Sequence, residues 1–282
     1  MPLSKRNQQT LGEYYEHTNV GDFAGALKYF TDDVTYWLPN ASQKVPYAGE
    51  WHGKEGAAEV YAAFGEAFSL VDMTEICSIS TDDEVFSVND EIFVAKDTGQ
   101  PWRLGVVHHI RFRDGLIERL AAHLDLGAAH EALSGRTPLP SPILPVDALP
   151  GADTVPLAKA EEVAAAYLSD FPARSDLLAS QATAYMPGDQ RRLRFAGTWS
   201  GRDELSRMAT HWTNSLDVSL TVQHMIAERG NVVALVALNG TFLPTRTPVN
   251  LETAVLFQIT ADARIGRMAW YLNTYPLVAL PN

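Results

Sequence analysis

The sequence predicts an α+β protein built from two similar domains in tandem, each a curved sheet wrapped over helices. Three observations lead there. First, the chain matches itself when displaced by 148 positions. Val45-Pro46-Tyr47-Ala48-Gly49-Glu50-Trp51-His52-Gly53-Lys54-Glu55 then falls on Leu193-Arg194-Phe195-Ala196-Gly197-Thr198-Trp199-Ser200-Gly201-Arg202-Asp203. Without a gap, Asp114, Ile117, Arg119, Ala121 and Leu124 fall on Asp262, Ile265, Arg267, Ala269 and Leu272. Such a period is far above the roughly 20–50 residues of solenoid repeats, so each copy reads as a domain. Second, the stretch 137–156 between the copies holds six of the chain's 16 prolines. Proline lacks an amide donor and fixes φ, so this stretch reads as an extended, stiff linker. Third, helical periodicity opens each copy and strand-like segments follow it. The expected boundaries are a first domain at 1–130, a linker at 131–157 and a second domain at 158–282.

The elements of the first copy follow in order. Leu11 to Asn19 and Phe23 to Phe30 carry helical patterns, broken at Gly21-Asp22. Val34-Thr35-Tyr36-Trp37-Leu38 is a β-branched and aromatic strand, stopped by Pro39. Gly53 opens a third helix, with Val60, Phe64 and Phe68 at helical spacing. Strands are expected near 73–80, 84–95, 102–112 and 116–126, the last two joined by the turn pair Asp114-Gly115.

Composition narrows the function classes. A net charge of −12 disfavours a phosphate backbone as partner, so nucleic acid is not expected. No run of apolar residues is long enough for a membrane span, and Met1 to Thr10 lacks the apolar core of a signal peptide. Cys77 is the single cysteine, which points to a reducing cytoplasm. No histidine spacing reads as a metal site, and no metal or cofactor is expected.

The hairpin implies a register. With Asp114-Gly115 as the two loop residues, Arg113 faces Leu116 and paired positions sum to 229. One face would then carry Leu104, Val106, His108, Ile110, Phe112, Ile117, Arg119, Ala121, His123 and Asp125, bringing His108, His123 and Asp125 together. In the second copy, Phe257, Met268, Trp270 and Leu272 would share the opposite face, an apolar stripe that must be covered.

Several segments resemble the nuclear transport factor two-like superfamily, which includes ketosteroid isomerases, SnoaL-like polyketide cyclases and limonene epoxide hydrolases. They are Tyr14 with Gly21-Asp22, then Phe30-Thr31-Asp32-Asp33-Val34, then Ala48-Gly49-Glu50-Trp51-His52-Gly53-Lys54-Glu55-Gly56, then Arg113-Asp114-Gly115-Leu116-Ile117 ending in Asp125. The resemblance implies two cone-shaped curved-sheet domains with helices packed on the concave face, forming an intrachain pseudo-dimer and allowing a homo-oligomer. It implies an apolar pocket for a hydrophobic small molecule, with Tyr15, Tyr36, Trp37, Leu38, Val106 and Ile110 as lining. Tyr14 matches the oxyanion-donating tyrosine of the steroid isomerases, and His108 matches their second donor. Leu38 stands where their proton-shuttling aspartate would be, which argues against that chemistry. Asp125 matches the acid/base of the SnoaL-like cyclases, with His123 or His108 as its helper. Read from the residues alone, Asp125 remains either an acid/base or the cap of a following turn.

The resulting expectation is a cofactor-independent SnoaL-like enzyme moving a proton by cyclisation, isomerisation or dehydration. The catalytic set is Asp125, His123, His108 and Tyr14. The alternatives are a non-catalytic binder and an epoxide hydrolase. The second copy holds Glu162, Leu256, Tyr271 and Asn273 at the matching offsets, so chemistry is expected in the first. Glu252, Gln258, Arg267 and Tyr271 could line a second pocket. Trp51 and Trp199 read as structural wedges.

Overall fold

A computed structural model describes residues 3–40, 45–138, 145, 149 and 154–278. The chain divides into two units, Met1–Pro140 and Ser141–Asn282. Most of the proline-rich stretch lies outside the described residues.

The first unit runs α1 (Lys5–Asn19), α2 (Phe23–Ala26), β1 (Phe30–Leu38), β2 (Gly49–His52), α3 (Gly53–Ala67), β3 (Phe68–Ser80), β4 (Glu84–Ala95), β5 (Pro101–Arg113), β6 (Leu116–Leu124) and α4 (Leu126–Leu133). Ser4 caps α1 by accepting from the Asn7 amide, and Asp22 caps α2 by accepting from Gly25. The sheet order is β2-β1-β6-β5-β4-β3, with β1 and β6 parallel and every other pair antiparallel. The chain therefore hands its first strand to its last one, and the β3–β6 meander curves away from that seam. Helices α1 and α3 bring Tyr14, Val60 and Tyr61 into one core with sheet residues Phe30, Val106, Ile110 and Leu124.

The second unit repeats this plan: α5 (Leu157–Ser169), β7 (Leu178–Met186), β8 (Gly197–Ser200), α6 (Arg202–Ser215), β9 (Leu216–Glu228), β10 (Asn231–Phe242), β11 (Thr247–Ile259), β12 (Ile265–Tyr271) and α7 (Tyr275–Val278), with sheet order β8-β7-β12-β11-β10-β9. Two small bonds recur at matching places. The Trp51 indole N–H donates to the Tyr47 carbonyl, and the Trp199 indole N–H donates to the Phe195 carbonyl. Both tryptophans thus wedge the entry to α3 and α6.

The expected hairpin register needs correction. Asp114 and Gly115 do form the turn, with φ of 53° and 77°, the left-handed pair of a primed turn. Arg113 faces Leu116 and Phe112 faces Ile117 as expected, but a bulge then intervenes, and Arg111 faces Arg119. Glu118 is the extra residue. From there His108 lies opposite Ala122, and Val107 opposite His123. A one-residue slip sends every later side chain of a strand to the other face. His108, Ala122 and Leu124 therefore point to the concave side, while His109, Ala121 and His123 point to the outer side.

The gapless offset is corrected too. β3 carries bulges at Val71 and Ile76, whereas β9 carries one at Gln223. The added residue makes the offset 147 in β4 and β5, so Phe112 matches Ile259. The longer turn at 260–264, against 113–116, restores 148 in β6, so Ile117 matches Ile265. His108 accordingly matches Val255, not Leu256. The apolar stripe Phe257, Met268, Trp270 and Leu272 belongs to the second unit's own core. Glu252, Gln258, Arg267 and Tyr271 sit on the outer face of β11 and β12, because they alternate with that core stripe. They point away from the interior of the cone.

Candidate active site in the first cone

A cavity of about 600 Å³ opens between the concave face of the first sheet and helices α1 and α3. That volume suits a small organic molecule. Its wall is aromatic: Tyr14, Tyr15, Phe23, Tyr36, Tyr61 and Trp102 all contribute. Helix α1 places Tyr14 and Tyr15 on its inner side, and α3 places Tyr61 opposite. The hydroxyls of Tyr14 and Tyr61 share a hydrogen bond of 2.8 Å. Burial raises both phenols well above their ordinary pKa, so both stay protonated donors. The Tyr47 hydroxyl and the Trp102 indole N–H, also from lining residues, are buried without a hydrogen-bond partner.

Among the described residues, one carboxylic acid lines this cavity, Glu91 on β4. It is 8% exposed. Burial, with a smaller contribution from Asp90, pushes its pKa up to about 8. His108 Nε2 stands 3.9 Å from Glu91 Oε1. Burial lowers the His108 pKa to about 4, so the imidazole is neutral at physiological pH. Its other nitrogen, Nδ1, lies 3.4 Å from Asn89 Nδ2. The polar group is set by strand alternation: Ser87, Asn89 and Glu91 share one face of β4, and Ser87 pairs with His108 across β5. Lys96 and Ser69 also line the cavity.

The sequence-predicted residues divide between the two faces. His108 and Tyr14 reach the cavity, as do Tyr15, Tyr36, Leu38 and Val106. Ile110 is buried in the core beneath and does not line it. Trp37 points outward, its ring 5.1 Å from that of His123. His123 itself is fully buried on the outer side, where burial first, then His109 and Arg119, lower its pKa to about 3. The bulge at Glu118 put it there. Asp125 does not line the cavity either. Its Oδ1 accepts the Gly127 N–H at 2.9 Å and caps α4. Asn273, its counterpart, accepts from the Tyr275 N–H at the start of α7, so the second unit repeats the cap without the carboxylate. The offset partner of Tyr14, Glu162, is exposed and pairs with Lys159, so it is no counterpart in function.

Glu91 is the residue that sequence reasoning missed. Its strand reads Ser87-Val88-Asn89-Asp90-Glu91, an alternation that looks solvent-facing. A usable signal lay in the neighbouring strand: the face holding His108 also needed cross-strand partners. Among the described residues, no group of three or more His, Cys, Asp and Glu side chains converges as a metal site. No helix among them is long and apolar enough to cross a membrane.

A cone-shaped α+β sheet closed over helices is the fold of a nuclear transport factor two-like domain, here in two tandem copies, of which the first holds the aromatic cavity. The SnoaL-like domain family matches residues 11–120 and 163–268, and the chain belongs to that family. Solved structures align over slightly less than half of the chain. One is a nuclear transport factor two-like protein of unknown function from Burkholderia pseudomallei K96243, 20% identical, covering 46% of this chain and 98% of its own, with a TM-score of 0.42. Another, from Burkholderia xenovorans LB400, is 18% identical, covering 46% and 97%, with a TM-score of 0.40. A third, TerC co-crystallised with polyporic acid, is 23% identical, covering 46% and 99%, with a TM-score of 0.41. No curated protein matches the sequence.

Proposed function

We propose that the first unit is a cofactor-independent SnoaL-like enzyme that moves a proton on a hydrophobic small molecule bearing a carbonyl or hydroxyl group. Glu91 carries this reading: one acid, buried in an aromatic cavity beside a neutral histidine, with a pKa near 8. Such a carboxyl can give and take a proton near neutral pH, whereas an ordinary one is ionised there and is only a weak base with no proton to give. Glu91 takes the place that the sequence assigned to Asp125. As a carboxylate it removes a proton next to the substrate carbonyl. His108 and Tyr14 donate to the oxygen on which charge develops. Return of the proton at another carbon is isomerisation. Attack of the enolate on a second carbonyl is cyclisation, and loss of a β-hydroxyl is dehydration. The aromatic wall excludes water and selects an apolar body.

In this reading residues 1–130 are the catalytic half, 131–157 the linker, and 158–282 a non-catalytic companion, and the protein acts in the cytoplasm. The epoxide hydrolase alternative needs an arginine beside the carboxylate, and no arginine among the described residues lines the cavity. A non-catalytic binder would use the same cavity.

The test is solvent deuterium exchange into a panel of aryl ketones and β-diketones, followed by NMR. Glu91→Gln is expected to lower the enzyme-catalysed exchange by roughly 10²–10⁴, and Asp125→Asn to leave it within about threefold. Exchange that survives Glu91→Gln overturns the assignment. Binding of the same compounds with no exchange above background favours the binder.

A further inference from the structure

We propose that Glu75, Ser87 and Asn89 are positioning residues that hold His108 with its proton on Nε2, aimed at Glu91 and the cavity. The proposal rests on the functional reading above only for what that proton does. The tautomer itself follows from a chain of hydrogen bonds.

The chain begins at the surface and ends in the cavity. Glu75 is exposed on β3. The Ser87 hydroxyl donates to Glu75 Oε2 at 3.0 Å. Asn89 Nδ2 donates to Ser87 Oγ at 3.1 Å and faces His108 Nδ1 at 3.4 Å. His108 Nε2 then faces Glu91 Oε1 at 3.9 Å. Ser87 and Asn89 are 0% and 1% exposed, so the links from Ser87 inward are shielded from bulk water.

Polarity runs along this chain from one fixed end. A carboxylate oxygen accepts only, so Ser87 must donate to Glu75. Asn89 Oδ1 also lies 3.3 Å from Ser87 Oγ as a second acceptor for the hydroxyl's one proton, but Asn89 Nδ2 lies 3.3 Å from the Ser87 carbonyl as well. A carbonyl only accepts, so the side of Asn89 turned to Ser87 is its NH₂. The same NH₂ meets His108, so Nδ1 must be the bare, accepting nitrogen. A neutral imidazole carries one ring proton, which therefore sits on Nε2. Reversing any link would set two donors or two acceptors against each other in a dry site, which costs more than the bond contributes when made. Glu91 and the hydroxyls of Tyr14, Tyr15, Tyr36, Tyr47 and Tyr61, with Lys96, are the titratable groups lining the cavity with His108. The group that meets its Nδ1 is the Asn89 amide.

A proton fixed on Nε2 has a chemical use. It stabilises the Glu91 carboxylate once that group has given up its proton, and it is the donor a substrate oxygen meets when it enters between the two. An imidazole protonated on Nδ1 would present a lone pair to Glu91 instead. It would then hold the acid in its protonated form and have nothing to donate. The second unit has Ala234, Val236, Leu238 and Val255 at the places of Ser87, Asn89, Glu91 and His108, all inside its core. The chain and the pair it serves are absent together there.

The experiment is ¹⁵N NMR of histidine-labelled, full-length protein at pH 7 without substrate, with the His108 signals assigned from a His108→Gln sample. The wild type is expected to show the Nε2–H form in excess by about tenfold or more. Because isolated imidazole already leans that way, the changes on mutation are decisive. Glu75→Gln, at an exposed position that leaves the fold intact, removes the fixed polarity, and the Nδ1–H share should rise several-fold. Asn89→Asp places an acceptor at Nδ1 and should invert the ratio, while Ser87→Thr, which keeps the hydroxyl, should restore wild-type behaviour that Ser87→Ala loses. An Nδ1–H majority in the wild type overturns the proposal. So does a ratio unmoved by both Glu75→Gln and Ser87→Ala. Neither result bears on the Glu91→Gln exchange assay, so the two readings fail separately.

Discussion

The two cones share a plan and differ in what fills them. At the concave face of β6 the first unit has Ala122, and the second has Trp270. That indole packs 5.3 Å from Trp212 and 5.0 Å from Phe171 by ring centres. Where the first unit lines its interior with Ser87, Asn89, Glu91 and His108, the second packs Ala234, Val236, Leu238 and Val255 into a continuous apolar core. The difference teaches how little is needed to exchange a reaction chamber for a core. A few inward positions on two strands change from polar to aliphatic, one small residue becomes a large one, and sheet order stays the same, while the opening helix moves: α5 packs on β9 and β10, whereas α1 packs on α2 and β6. The first unit keeps a buried acid that costs stability, and an interior that costs packing is what a site requires.

Trp270 offers the largest effect by which to break this comparison. Trp270→Ala removes a buried indole from a filled core and is expected to cost about 3–5 kcal/mol in denaturant unfolding of the second unit. The reverse change in the first unit, Ala122→Trp, projects into the cavity rather than into packed atoms. It is expected to cost far less and to abolish uptake of an apolar fluorescent probe such as 1-anilinonaphthalene-8-sulfonate. If both changes cost the same, the first cone is not open and the contrast fails.

A smaller effect separates the units by pH. Glu91 has its pKa raised from 4.5 to about 8 in the folded state. A raised carboxyl holds its proton where the unfolded chain has lost it, so its stabilising share is full below about 4.5 and lost as pH rises to about 8. His108 and His123 are shifted the other way, from 6.5 to about 4 and about 3, so they take stability away as pH falls below 6.5 and oppose Glu91 there. The clean window is therefore pH 6.5 to 8. Across it the first unit should lose about 2 kcal/mol, and Glu91→Gln should flatten the slope. The second unit, with Leu238 in that place, should show no such slope. A wild-type stability that rises across this window would sharpen the question of which group Glu91 is paired with.

The smallest effect concerns what the two units share. Asp125 and Asn273 cap equivalent helices, so Asp125→Ala and Asn273→Ala should each cost about 1 kcal/mol. Equal losses in calorimetry, with cavity binding unchanged, support a purely structural role for both. A selective loss of ligand binding in Asp125→Ala would return Asp125 to the site.

Much of the fold was legible because local chemistry carries it. The Asp114-Gly115 turn, the strand Val34 to Leu38, the helix opened at Gly53 and the paired Trp51 and Trp199 wedges all follow from residues whose backbone or packing preferences are strong. The duplication was legible for the same reason, since such residues recur at matching places. The bulge at Glu118 was not legible, because an ordinary glutamate in a strand carries no signal for an extra residue. That single residue decided that His123 and Asp125 leave the cavity face while His108 stays.

By itself, then, the sequence determined two tandem α+β domains, the hairpin at Asp114-Gly115, and a first copy that holds Tyr14 and His108 where the second has no counterpart. Only the tertiary structure decided which polar residues face inward. Period-two alternation assigns two faces to a strand but does not say which is dry, and in β4 the face bearing Ser87, Asn89 and Glu91 turned out to be the inner one. The reason is physical: the side to which a strand turns is set by the sum of every bulge and register between it and the core, and Glu91 acquires its chemistry from the burial that this sum imposes on it.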